Sequence, residues 1–323
     1  MKKVIITGAT SMIGLSTLES CLDHDVEKIY AVVRPNSTNL NRLPDDKRIT
    51  IVECDANEYG KLQSLITERC DVFYHFAWRA TGAKRNENIE EQINNIQFTV
   101  DAVKAANTCG CTKFIGAGSQ AEYGRLDIDK IGVDSLINPT QPYGIAKYAA
   151  GKLAKEKADF LGIDCVWVRI FSIYGKYDKP STLVSSTIAK MKTEGRIPFT
   201  QGVQRWDYLY SKDAGEAFYA IGDKSNGSKV YCLGSGVARP LKEYILIMKN
   251  LINQNVELGF GDIPYGKYPV MNLCADISDL QNDTGWTPRI SFKDGILEII
   301  RGGVKLFKFY LIDASYSGGI CYA

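Results

Sequence analysis

This chain has no long apolar run: nothing in its 323 residues approaches the 18 consecutive apolar positions a membrane-spanning helix needs. It also lacks an excess of either charge. Lys and Arg number 39 and Asp and Glu 37, so the formal net charge of +2 gives no reason to expect nucleic acid or a membrane surface as partner. Histidine is nearly missing. With only His24 and His75, and with Cys109 and Cys111 unaccompanied by a second Cys or His cluster, no metal site is expected. There is no internal repeat. No leader is read either, because the chain opens directly on a strand. The nine scattered cysteines then read as reduced thiols, and the expected location is cytoplasmic.

Apolar residues make up 45% of the chain, ample for a sizeable core, and the length suggests two domains or one domain with an appended lobe. The informative stretch is residues 2–18. Val4, Ile5 and Ile6 form a short β-branched run suited to a strand buried on both faces. Gly8 permits a tight turn, and residues 12–21 read as a helix with Ile13 and Leu18 toward the sheet. Strand, Gly turn and helix in that order aim backbone N–H groups and a partial positive charge at one point, which suits a diphosphate. Thr10, Ser11, Met12, Ile13 and Gly14 would line that point. Ser11 stands midway between Gly8 and Gly14, where a glycine usually lets the backbone approach a pyrophosphate; its hydroxyl offers a phosphate donor instead. The plain alternative is an ordinary βα turn.

Strands are predicted over 28–33, 49–53, 71–76, 112–117 and 164–170, with a long amphipathic helix over 89–106. In that helix Ile89, Ile93, Ile96, Val100 and Val103 form the expected buried stripe. Successive βα units indicate an α/β fold with a doubly wound parallel sheet of the Rossmann type, binding ligands at the strands' carboxyl ends. Arg34 ends the second strand, where an arginine suits the 2′-phosphate of NADP; the alternative is a solvated loop arginine. Asp55 either accepts from the adenine or caps the next helix, with Ala56 beside it. Ala77 and Trp78 end the fourth strand, where small Ala77 would let the backbone lie against a cofactor. His75 reads as a packed structural histidine.

The second informative stretch is residues 138–147. Pro142 fits a helix first turn, and Tyr143 and Lys147, four apart, share one face of that helix. An ammonium beside a phenol lowers its pKa from about 10, so Tyr143 would exchange a proton near neutrality. Ser119, ending the fifth strand, is placed to bond the same substrate oxygen.

The order of these motifs resembles the extended short-chain dehydrogenases/reductases, the family of nucleotide-sugar epimerases, dehydratases and ketoreductases. The resemblance spans nearly the whole chain: Thr7-Gly8-x5-Gly14, Asp55, His75-x-Ala77, Asn95, Ser119, Tyr143-x3-Lys147, residues 169–175 and Trp206-Asp207-Tyr208-x4-Asp213. It implies that Ser119, Tyr143 and Lys147 are the catalytic triad. It further implies that Asn95 and Phe171 belong to the cofactor side, that Ser172 and Arg205 are substrate contacts, and that the chain is a homodimer pairing through the Ile89 and Tyr143 helices.

The departures narrow the reaction. Gln120 and Ala121 follow Ser119 where the 4,6-dehydratases carry acid/base residues, and Ala121 moves no proton. With Arg34, this favours an NADP(H)-dependent 4-keto reduction of a nucleotide-linked sugar. The alternative is a 4-epimerase holding NAD, and a third reading is a non-catalytic NADP-binding regulator. The expected organisation is a dinucleotide-binding domain at 1–170 with 204–233 returning to it. A substrate lobe is expected at 171–203 and 234–311, followed by a poorly ordered tail at 312–323. Helices are read at 183–191, 211–221, 241–252, 276–284 and 292–306, a strand at 229–233, and an irregular loop at 259–268 that would close over the sugar.

Overall fold

The computed structural model describes residues 1–82, 85–267 and 269–302. The predicted tail at 312–323, and the end of the predicted helix beyond residue 302, lie outside the described residues. Six parallel strands come first: β1 (Lys3–Thr7), β2 (Lys28–Val33), β3 (Ile49–Glu53), β4 (Val72–His75), β5 (Lys113–Ser119) and β6 (Asp164–Ile170). Four short strands follow, β7 (Ser172–Tyr174), β8 (Arg196–Phe199), β9 (Arg205–Trp206) and β10 (Tyr208–Tyr210), before β11 (Lys229–Leu233) pairs in parallel with β6. The main sheet therefore runs β11-β6-β5-β4-β1-β2-β3. Strand order reverses between β1 and β4, which opens a crevice at their carboxyl ends.

Four long helices cover the sheet: α1 (Met12–Asp23), then, after the short α2 (Leu62–Leu65), α3 (Ile89–Thr108) and α4 (Pro142–Leu161), and later α6 (Ser211–Lys224), which follows α5 (Leu183–Thr193). The two-residue period of β1 sorts its side chains between the layers. Val4 and Ile6 join the core beneath α1 and α6, whereas Ile5 joins the core beneath α3 and α4. Alanines at 102, 106, 154 and 158 are fully buried and let α3 and α4 approach closely.

The predicted stripe of α3 holds at its carboxyl end, where Val103 is buried and Ile96 and Val100 are half-buried, and fails in its first turns. Ile89 and Ile93 are 50% and 60% exposed. The face turned inward carries Gln92, Asn95, Thr99, Ala102 and Ala106 instead. The reason is polar. Gln92 Nε2 donates to the carbonyls of Ala80 and Arg85, and Asn95 pairs with both backbone groups of Arg79. The loop after β4 needs buried partners, and hydrophobic residues there would leave those groups unsatisfied.

A smaller lobe holds α5, α7 (Leu241–Ile252) and, after α8 (Ser278–Thr284), α9 (Phe292–Gly302), around a core that includes Ile188, Met191, Phe199, Met248 and Ile296. Its strands β12 (Arg239–Pro240), β13 (Glu257–Phe260) and β14 (Asn272–Leu273) complete two small sheets, β13 pairing with β8 and β12 and β14 flanking β9. The segment predicted as an irregular loop over 259–268 thus begins inside a strand, where Phe260 stacks on Phe199. Asp207 pins the lobes together: its buried carboxylate accepts from the N–H groups of Ser235, Gly236 and Ala275. Asp213 likewise accepts from Arg289 and Ile290, while its carbonyl accepts from Trp286 Nε1, which fixes the Trp286-Thr287-Pro288 turn.

Candidate active site

A cavity of about 1850 Å3 lies at the carboxyl ends of the sheet strands. One wall is the first βα turn. Gly8 has φ +66°, and a Cβ there would lie 2.8 Å from the Ala77 nitrogen; a Cβ at Gly14 would lie 2.3 Å from the Gly8 carbonyl oxygen. Both glycines thus keep three backbone segments in contact. Ser11 caps α1, its Oγ accepting from Gly14 N at 3.1 Å. That leaves the hydroxyl hydrogen for a ligand. Thr10, Ser11, Met12 and Ile13 line the cavity, and the first-turn N–H groups of α1 have no partner within the helix. Gly14 sits behind this wall and supports it.

The end of the cavity beyond β2 and β3 is lined by Arg34, Asp55 and Ala56. Asp55 does what its capping alternative anticipated: it caps the turn Ala56–Lys61 by accepting from Asn57 N. It also pairs with Arg79. Arg42 is a residue the sequence reading missed. It donates to the Thr10 carbonyl at 3.1 Å and stacks on Tyr177 at 4.5 Å, so a second arginine joins Arg34 at this end. His75 is buried and held by Thr7 Oγ1 at 2.9 Å; burial pushes its pKa down to about 3, so it is a neutral packing group.

Ser119, Tyr143 and Lys147 converge on the middle of the cavity, with Ala77, Trp78, Asn95, Phe171 and Ser172 around them. Ser119 Oγ accepts from Ala121 N at 3.2 Å. Tyr143 N donates to Asn86 Oδ1. Lys147 Nζ donates to the Ala117 carbonyl at 2.7 Å and lies 5.8 Å from the Tyr143 ring centroid.

The electrostatics differ from the expectation that Lys147 lowers the Tyr143 pKa. Burial pushes the phenol up, and the cation that opposes this is Arg85, 4.6 Å above the ring, helped by Ser119. Burial also pushes Lys147 down to about 7, with Glu122 opposing. The ammonium points at a carbonyl and at Trp78, and burial outweighs the pull of Arg85 and Ser119 on the phenol. Arg85 was missed because the polar loop after Trp78 has no periodicity. Its place after the strand at the reversal of strand order was the available signal.

Arg205 does not join the site. Its guanidinium donates to the Ala238 carbonyl on the exposed side of β9, while its neighbour Trp206 faces the cavity and donates through Nε1 to Ser172 Oγ at 2.7 Å. Strand alternation separates the two side chains. Nor do the described residues 259–267 line the cavity, and Tyr265 bonds Gln204 instead; residue 268 lies outside the described residues. All eight described cysteines are buried and free.

The profile of the NAD dependent epimerase/dehydratase family matches residues 4–234. The chain belongs to that family. Among relatives of this NAD-dependent epimerase/dehydratase member, an uncharacterized UDP-glucose epimerase of Bacillus subtilis is 27% identical over 308 residues, covering 91% of this chain and 95% of its own. Among solved structures, dTDP-glucose 4,6-dehydratase of Streptomyces venezuelae, with NAD and TYD bound, superposes with TM-score 0.82 at 19% identity, covering 95% and 98%. UDP-glucuronic acid 4-epimerase of Bacillus cereus, in complex with NAD, does so with TM-score 0.78 at 20% identity, covering 91% and 96%. The family member described here therefore shares their fold, with its seven-stranded parallel sheet.

Proposed function

We propose that this chain catalyses oxidoreduction at C4 of a sugar carried on a nucleoside diphosphate, in the reductive direction with NADP(H). The observation that carries the reading is the convergence of Ser119, Tyr143 and Lys147 in one cavity while Ala121 and Glu122 are unfit for dehydration. Ala121 has no ionisable group, and the Glu122 carboxylate is buried in an ion pair with Arg169. The cavity fits a dinucleotide: the Gly8 turn excludes any Cβ at its wall, the open end of α1 suits the diphosphate, and Arg34 and Arg42 suit a ribose phosphate. Bound nicotinamide supplies the hydride. Tyr143 gives its proton to the sugar oxygen, Ser119 donates to that oxygen as charge grows on it, and Lys147 offers donors to the cofactor ribose. With Arg205 turned away, Arg85 and Lys179 are the cavity cations assigned to the substrate's anionic groups.

Calorimetric titration with NADPH and NADH tests the cofactor. A preference for NADPH, followed by loss of nicotinamide absorbance on adding 4-keto nucleotide sugars, supports the reductase. A second reading, the 4-epimerase, is favoured by the NAD in the solved relatives; NAD retained through purification with no net NADPH consumption selects it. Self-association belongs to the same proposal, through the exposed Ile89 and Ile93 of α3 and Leu153 and Phe160 of α4. A monomer by sedimentation at working concentration removes it.

A further inference from the structure

Behind the triad lies a buried charge pair that the reaction itself does not consume. Glu122 is fully buried in the turn Gln120–Tyr123 after β5. Both oxygens of its carboxylate are engaged. Oε1 accepts from Ser119 N at 2.8 Å and from Trp167 Nε1 at 2.9 Å, and Oε2 accepts from Arg169 Nε at 2.9 Å. Arg169 Nη1 in turn donates to Tyr123 Oη, which donates to the Gly132 carbonyl. Glycines make room for this arrangement. A Cβ at Gly118 would lie 2.4 Å from Trp167 Nε1 and 2.6 Å from Glu122 Oε1, and one at Gly151 would lie 2.6 Å from the Trp167 ring. Two elements, β5 and α4, thus give up side chains so that Trp167 and Glu122 can meet beneath Ser119.

We propose that Glu122 is a positioning residue of the active site: its carboxylate fixes the Ser119 backbone and, balanced by Arg169, sets the electrostatic field at Tyr143 and Lys147. The charge of Glu122 favours the protonated form of both groups. The other groups facing them do not replace it. His75 on β4 is neutral, Arg85 from the loop after β4 acts on Tyr143 in the opposite sense, and Trp78 and the Ala117 carbonyl carry no net charge. Because Glu122 itself is fully buried, solvent screens its charge less than it would an exposed carboxylate.

This inference rests on the proposed role of Tyr143 and Lys147 as the proton-handling pair, and its test does not need turnover. Phenolate absorbance is followed against pH, with the Tyr143→Phe form of each variant subtracted so that only Tyr143 is read. In Glu122→Gln the ionisation of Tyr143 moves to lower pH by about half a unit or more. In Arg169→Gln, where Glu122 loses its counter-charge, it moves to higher pH. Glu122→Asp keeps the charge and the wild-type ionisation while lowering turnover through the displaced Ser119. Where a nicotinamide assay is available, the alkaline limb of the rate profile follows the same three shifts. Should one glutamine variant fail to fold, the other and Glu122→Asp still decide. Shifts in the same direction for both glutamine variants, no shift in either, or a displaced ionisation in Glu122→Asp overturns the proposal. If the phenolate shifts appear but no sugar nucleotide is turned over, the reductase reading fails and the field at Tyr143 stands.

Discussion

Lys147 Nζ lies 3.4 Å from the centre of the Trp78 ring. The ammonium is held against a ring face and a carbonyl, with burial pushing its pKa down to about 7. The folded chain is therefore penalised for carrying the charge. That penalty is complete below about pH 7 and fades as pH rises toward the ordinary lysine value of about 10.4, where the unfolded chain also loses the proton. Lys147→Met should accordingly raise Tm by roughly 5 °C near pH 6, with the gain shrinking toward pH 10. A gain that does not vary with pH, by scanning calorimetry, would place the proton elsewhere.

Tyr143→Phe removes the proton donor and leaves the ring beneath Arg85. The expected result is a fall in kcat of about 10²–10⁴-fold, with coenzyme affinity nearly unchanged. Ser119→Ala should cost about 10²-fold or more through the lost donor to the sugar oxygen. Single-turnover nicotinamide absorbance with a 4-keto nucleotide sugar measures both.

Arg34 and Arg42, at the cavity end proposed for the adenosine, are predicted to separate the coenzymes. Arg34→Ala and Arg42→Ala should each weaken NADPH by roughly tenfold or more, as expected for a lost charge-assisted contact, and leave NADH within about twofold. Equal losses for both coenzymes would return Arg42 to a purely structural part against Tyr177 and Thr10.

Arg85 and Arg205 are predicted to behave oppositely. Arg85→Ala should raise KM for the sugar nucleotide roughly tenfold or more and shift Tyr143 ionisation upward, because it removes the cation over the phenol ring. Arg205→Ala removes the bond to the Ala238 carbonyl outside the cavity and should change KM by less than about twofold. A large KM effect at Arg205 would put the diphosphate on the far side of β9.

Gly14→Ala tests the cradle. Its Cβ would meet the Gly8 carbonyl oxygen at 2.3 Å, a backbone atom that cannot step aside cheaply. Overpacking of this kind costs about 1–3 kcal/mol or more. A lower Tm together with weakened binding of both coenzymes is expected.

Much of the scaffold could be read from local pattern. The β-branched run Val4–Ile6, the Gly8 turn and the Tyr143–Lys147 step each report a short-range regularity, and strand pairing then brought residues as far apart as Ser11, Ser119 and Tyr143 to one cavity. Gln92, Asn95 and Ile93 show where pattern misleads. A 3.6-residue apolar stripe normally marks the core face, yet in the first turns of α3 the backbone of the loop after β4 demanded polar partners, and Ile89 and Ile93 were left outside.

The sequence by itself determined the order of strands and helices as far as β6, the glycine-bounded turn and the presence of a serine, a tyrosine and a lysine at family spacing, because each of these depends on residues a few positions apart. The tertiary structure alone decided the charges. That Lys147 faces Trp78 rather than the phenol, that Arg85 takes the place over Tyr143, that Arg205 points away and that Glu122 meets Arg169 beneath Ser119 all depend on which distant segments pack together. Burial then sets how strongly each charge is felt, and burial is a property of the packed chain, not of any stretch of it.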